Sequence, residues 1–134
     1  MIVVLDNNIL ISGIFWEHGN PRRIIDKWKN GDIQIAVSED TLNELIGVIE
    51  REFEMSSDDI SYWRKLISEN SIIVCSTKKY NLIKVHDADN KFIDVAAESG
   101  AEYIVSGDKH LLELKNVDEV KIITAKEMVD ILVG

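Results

Sequence analysis

Short apolar runs alternate along the chain with longer stretches in which apolar residues recur at helical spacing. Ile2 to Leu5, Gln34 to Val37, Ile72 to Val74, Tyr103 to Val105 and Lys121 to Ile123 are short and mostly β-branched, the character of strands buried in a parallel sheet. Pro21 stands where a first helical turn tolerates proline. Ile24, Ile25 and Trp28 then fall on one face, and Asn30 with Gly31 stops that helix. Ser38 predicts an N-cap, with Glu39 and Asp40 in the first turn, for a longer helix through Leu42, Leu45, Ile46 and Ile49. Ser57, Asp58 and Asp59 start another that carries Ile60, Trp63 and Ile67, and a further helix is expected over Asn90 to Ser99. Thr124 and Glu127 have the spacing of a capping box before Met128, Ile131 and Leu132. Strands alternating with helices predict an α/β fold, three layers α/β/α around a central parallel sheet of about five strands. No repeat, low-complexity stretch or Gly/Ser linker divides the chain, and Ser76 to Asp87 is the longest irregular segment. Residues 1–134 are therefore expected to form one domain.

Composition changes this picture little. A chain of 134 residues with 46% apolar content suffices for one sizeable core. Its apolar runs fall far short of the roughly 20 residues that a membrane helix requires. Asp6 interrupts the first run almost at once, which argues against a secretory signal and for a cytoplasmic protein. Cys75 is the only cysteine, so no internal disulfide forms, and after Ile72, Ile73 and Val74 it is expected to be a buried apolar side chain. Charge matters more. The formal net charge of −9, from 24 acids against 15 bases, opposes a surface that binds nucleic acid by counterion release. That opposition weakens if acids share divalent cations, since two such ions neutralise about four carboxylates.

Ligands of open α/β sheets bind beyond the carboxyl ends of the strands, and acids fall there. Asp6 directly follows Ile2 to Leu5, and Asp108 follows Tyr103 to Val105 after the turn Ser106, Gly107. Each alone is as well explained as a helix cap or turn residue; two at one sheet edge favour function. Glu44 interrupts an apolar stripe between Leu42 and Leu45, with a boundary position as the plainer account. Asp89 precedes the helix at Asn90, where a carboxylate also serves as a cap. Were the four to converge, repulsion would cost roughly 4 kcal/mol per pair at 4 Å and an effective dielectric near 20, so a cation or bound protons must accompany them. All-oxygen ligation suits Mg²⁺ or Mn²⁺, whose chemistry in such sites is phosphodiester hydrolysis.

The residues around these acids resemble a known family. Val4-Leu5-Asp6-Asn7-Asn8-Ile9-Leu10-Ile11-Ser12-Gly13 is similar to the first motif of PIN domains, an aspartate after the first strand followed by a small polar residue, an asparagine and an apolar helix. The run from Asp89-Asn90-Lys91-Phe92-Ile93-Asp94 to Ser106-Gly107-Asp108-Lys109 resembles the second half of that signature: acid, helix, glycine, strand, then Ser-Gly-Asp. The resemblance extends from Ile2 to the strand Lys121 to Ile123 and includes the VapC-like toxins of bacterial and archaeal toxin–antitoxin pairs. It implies that Asp6, Glu44, Asp89 and Asp108 are the catalytic, metal-binding acids, with Asn8 and Ser106 shaping the site through hydrogen bonds. It also implies Mg²⁺- or Mn²⁺-dependent cleavage of single-stranded RNA, a homodimer and a small antitoxin partner. Asn7 departs from the family, where Thr or Ser is usual. Asp87 and Asp94 lie close to Asp89, but counting back from Gly100 places Asp89 at the family position, and Asp94 would point about 140° away along the helix.

Arg22, Arg23, Lys109 and His110 are candidates for contact with RNA, although the first two, with Lys27 and Lys29, form a run that is usually only a solvated helix face. His18, His86 and His110 lack the spacing of a zinc site. Trp16 is a candidate for stacking on a base, with packing as the plainer account, and Trp28 and Trp63 are expected in the core. A PIN-like binding module without activity is the main alternative. A receiver or phosphatase-like phosphoryl-transfer domain fits less well: Cys75 and Ser76 stand where a receiver needs its aspartate, and Asn8 where the phosphatase needs its second one.

Overall fold

The structure is a computed structural model that describes residues 1–75 and 87–133, with only the backbone of 87–89. Its sheet contains β1 (Ile2–Leu5), β2 (Gln34–Ser38), β3 (Ile72–Val74), β4 (Tyr103–Val105), β5 (Asn116–Val117) and β6 (Val120–Ile123). The order is β3-β2-β1-β4-β6-β5, parallel except for β5, which pairs antiparallel with β6. The sheet thus has six strands where about five were expected. The addition is a short hairpin arm whose turn places Asp118 at φ 53°, a backbone state that aspartate tolerates better than most residues.

Side chains alternate across the sheet with period two. Val3, Leu5, Ile35, Val37, Val105 and Ile123 face one core, and Val4, Ala36, Ile104 and Ile122 face the other. The first core is covered by α1 (Asn7–Phe15), α2 (Asn20–Lys29), α3 (Glu39–Glu52), α4 (Ser57–Asn70) and α7 (Ala125–Val133). The second is covered by α5 (Asp87–Ser99) and α6 (Lys109–Leu114). This is the three-layer α/β/α arrangement. Among the described residues no helix is long and apolar enough to cross a membrane.

Several local expectations need correction. The cap of α4 is Ser56, whose hydroxyl accepts from the Asp59 N–H at 3.1 Å. Trp28 is buried and donates from Nε1 to the Asn70 carbonyl at 3.0 Å, but Trp63 is only half-buried, with Lys29 Nζ 4.8 Å above its ring. Cys75 is exposed rather than buried, because β3 is an edge strand and Ile73 on it is also exposed. The segment 76–86 lies outside the described residues, and α5 begins at Asp87. Asp89 therefore sits within the first turn of that helix, where a carboxylate still favours the helix dipole, and not at its cap.

Candidate active site

The strand order reverses beside β1. From there the chain builds outward through β2 and β3 on one side and through β4 and β6 on the other, which opens a crevice beyond the carboxyl ends of β1 and β4. Asp6 and the segment Ser106 to Asp108 leave their strands at this crevice. The Asp6 N–H donates to the Val105 carbonyl at 3.1 Å, and the Ser106 N–H to the Ile123 carbonyl at 2.9 Å, so both departure points are fixed by the sheet ladder.

Asp6 is the N-cap of α1 and accepts from the Ile9 N–H at 2.9 Å. It is 3% exposed, and its second carboxylate oxygen accepts a hydrogen bond from the Ser106 hydroxyl. Ser106 Oγ in turn accepts from the Asp108 N–H at 2.9 Å. Asp108 caps α6 by accepting from the His110 N–H at 2.7 Å and is half-buried. Burial pushes the Asp6 carboxyl above its ordinary value. The hydrogen bonds from Ser106 and Ile9 pull it back, and the nearby Asp108 charge pushes it up again. Asp108 is therefore close enough for its charge to reach the Asp6 carboxyl, and both aspartates serve as helix caps as well.

Glu44 lies on the second turn of α3. The start of that helix is fixed by the reciprocal box of Ser38 and Thr41 and tied to α1 by Asn7 Nδ2, which donates to the Thr41 carbonyl at 3.3 Å. Asn7 thus holds a neighbouring helix instead of supplying the hydroxyl usual at its position. Glu44 Oε1 accepts from Lys91 Nζ of α5 at 2.6 Å. Lys91 is held above its ordinary value by that hydrogen bond first, with desolvation opposing and the charges of Glu44 and Asp40 adding to it. Lys91 was part of the motif quoted above, but no chemistry was attached to it. The usable signal was a cation two residues after a candidate metal ligand.

The other predicted residues separate into two groups. Asn8 is exposed and reaches Asp6 through its backbone N–H. Lys109 is exposed and His110 half-buried in the first turn of α6, beside Asp108. Arg22 is a correction to the set of RNA contacts: its Nε donates to the Gly13 carbonyl at 2.6 Å and a terminal nitrogen to the Ile14 carbonyl at 3.1 Å. The guanidinium thereby caps the carboxyl end of α1. Arg23 is exposed, at a cleft between α2 and α7. Trp16 is 55% exposed but packs edge-on against Phe15 and Phe53, each with ring centroids 6.4 Å away. The side chains of Asp87 and Asp89 lie outside the described residues, and Asp94 is half-buried on α5.

The donor set suits a hard divalent cation, since among the described residues the crevice offers carboxylate oxygens and no thiolate or paired imidazoles. Among the described residues no three His, Cys, Asp or Glu side chains stand together as a ready-made metal cluster. Glu44 is turned to Lys91, and Asp6 and Asp108 make a pair.

Residues 2–110 match the model of the PIN domain family. The chain belongs to the PIN domain family. That family is one of nucleases, so the protein is a hydrolase in class. No curated protein matches the chain. Among solved structures, this PIN domain is similar to the crystal structure of VapBC2 from Rickettsia felis bound to a DNA fragment from its promoter. The TM-score is 0.62 at 17% identity, with 92% of this chain and 98% of that one covered. It is also similar to PAE2754 from Pyrobaculum aerophilum, with TM-score 0.61, 16% identity, and 98% and 94% coverage. At such identities the likeness is one of fold, and the fold is that of a PIN domain.

Proposed function

We propose that this PIN domain is an endoribonuclease dependent on Mg²⁺ or Mn²⁺, acting on single-stranded RNA. The observation that carries the reading is the buried Asp6 carboxylate, held by Ser106 and facing the charge of Asp108 at the crevice where the strand order reverses. A carboxyl raised by burial, with a like charge adding to the effect, is the expected electrostatic state of a cation site without its cation. Asp6, Glu44, Asp89 and Asp108 would hold the ion. When bound, such an ion acidifies water and offsets the charge of a phosphodiester undergoing attack.

The chain's own residues supply the positioning. Ser106 fixes one Asp6 oxygen and the Asp108 backbone at once, which ties the two acidic residues together through the protein itself. The Ile9 and His110 N–H groups orient the same carboxylates from the amino ends of α1 and α6, whose dipoles favour negative charge there. Lys109, exposed beside Asp108, is suited to a phosphate of the RNA backbone. The likeness to a VapBC structure supports a toxin with a small antitoxin partner; a homodimeric assembly acting in the cytoplasm is part of the same proposal.

The test is cleavage of end-labelled single-stranded RNA by the wild type in Mn²⁺, in EDTA, and by Asp6→Asn. Cleavage that requires both Mn²⁺ and Asp6 is expected, with the variant reduced by at least about a hundredfold, the scale of losing electrostatic support in the transition state. A second reading, a PIN-like binding module without activity, is favoured by the lysine already seated on Glu44. Absence of both cleavage and calorimetric Mn²⁺ binding would decide for it.

A further inference from the structure

A cation already stands on one of the four acids assigned to this site. Lys91 Nζ lies 2.6 Å from Glu44 Oε1 and joins α5 to α3 across 47 positions of sequence. The other ion pairs among the described residues are looser: Lys27 with Asp32 at 3.7 Å, and Lys126 with Asp130 at 3.1 Å along one helix. The Lys91 and Glu44 side chains are 39% and 38% exposed, so water and ions reach the pair from one side.

Asp6 and Asp108 are held differently. Their described partners are a hydroxyl and backbone N–H groups, neutral donors that leave carboxylate lone pairs available and can stay in place as outer support around a bound ion. An ammonium is not such a partner. It is a full positive charge on one oxygen of a carboxylate that would help to hold a divalent ion, and two cations on one carboxylate repel. Lysine is also the cation that yields most readily, a point charge on a flexible stem with no fixed fork of donors.

We propose that Lys91 is the resident cation of the acidic site. It holds Glu44 while no divalent ion is bound, and an ion must displace it to gain Glu44 as a ligand. The inference rests on the metal-dependent reading above. Its consequence is a loading threshold: the first ion must outcompete a tethered charge, so the site fills at higher ion concentration than three or four open carboxylates would allow.

The experiment is Mn²⁺ titration by calorimetry of EDTA-stripped wild type, Lys91→Met, Lys91→Arg and Asp6→Asn. Methionine keeps much of the stem without the charge, and it should bind Mn²⁺ about tenfold tighter or more than wild type, the scale of one nearby unit charge. Arginine keeps the charge and should stay within about threefold of wild type or weaker. Equal or weaker binding by Lys91→Met overturns the inference while leaving the metal site intact. No Mn²⁺ binding by any variant, or binding unaffected by Asp6→Asn, removes the metal-dependent reading and this inference with it. Amine acylation of the wild type read by mass spectrometry gives a second measure that needs no substitution: Lys91 labelling should rise several-fold on adding Mn²⁺ relative to exposed Lys65, and no rise overturns the displacement.

Discussion

Asp6 concentrates the tension in this molecule. One carboxylate caps a helix, accepts from a buried serine and faces a second aspartate, yet is almost fully shielded from water. Its carboxyl titrates above 3.8 because burial disfavours the charged form, so folding takes up a proton. Stability from this group is therefore present at low pH and is lost as pH rises through the folded-state value. Asp6→Asn removes the charge and keeps a good N-cap. In EDTA at pH 7 the variant should melt a few degrees above wild type, with the gap closing as the pH approaches 4, as followed by circular dichroism. A lower melting temperature at both pH values would mean that the Ser106 bond outweighs the charge. At this scale the sequence was partly legible. Asp6 and Asp108 announced themselves because each follows a strand end, and the structure brings the charge of one within reach of the other. Arg22 was read as an RNA contact or a solvated charge because its partners, the carbonyls of Gly13 and Ile14, belong to another helix, and no periodicity shows that. Lys91 was hidden for the same reason, its partner being 47 positions away.

Among elements, the contact of α1 with α2 governs how the first turn of the chain is presented. A Cβ on Gly13 would come 2.5 Å from Ile25 Cγ1 and 3.0 Å from the Pro21 carbonyl, so the two helices approach as closely as they do only because that position carries no side chain. Arg22 then ties α2 to the end of α1. Gly13→Ala should lower the urea-unfolding free energy by about 1–3 kcal/mol from overpacking, despite the better helix propensity of alanine. An unchanged midpoint would show that the helices separate without cost. A glycine inside an apolar run reads in sequence only as a tolerated weakness, and its purpose appears with the neighbouring helix in place. The capping box of Thr124 and Glu127, by contrast, was legible from spacing and is formed reciprocally, at 3.1 and 3.2 Å. The short α6 and the arm β5 were not anticipated, because six and two residues are too few to establish a period.

For the whole molecule, alternation of apolar and polar runs sufficed to give the three layers, since burial on both sheet faces demands nearly continuous apolar strands. The edge position of β3, and with it the exposure of Cys75, depends on strand order, which hydrophobic pattern does not encode. An excess of acid spread over 134 residues also means that a bound divalent ion should act on the entire fold. In Mn²⁺ at about a hundred times its dissociation constant, the wild type should gain about 2.7 kcal/mol, a rise of roughly 10 °C in melting temperature for a domain of this size. EDTA should reverse the gain, and Asp6→Asn should show little of it. A melting temperature indifferent to Mn²⁺ would count against any cation held at the crevice. The reversal of strand order beside β1 has a consequence in time as well as in space. Ser106 meets Asp6 across a hundred positions of chain, so a polypeptide still emerging from the ribosome, or one clipped before β4, possesses the first acid but none of the partners that β4 delivers. Whatever chemistry the crevice performs therefore waits until β4 has been made and laid beside β1.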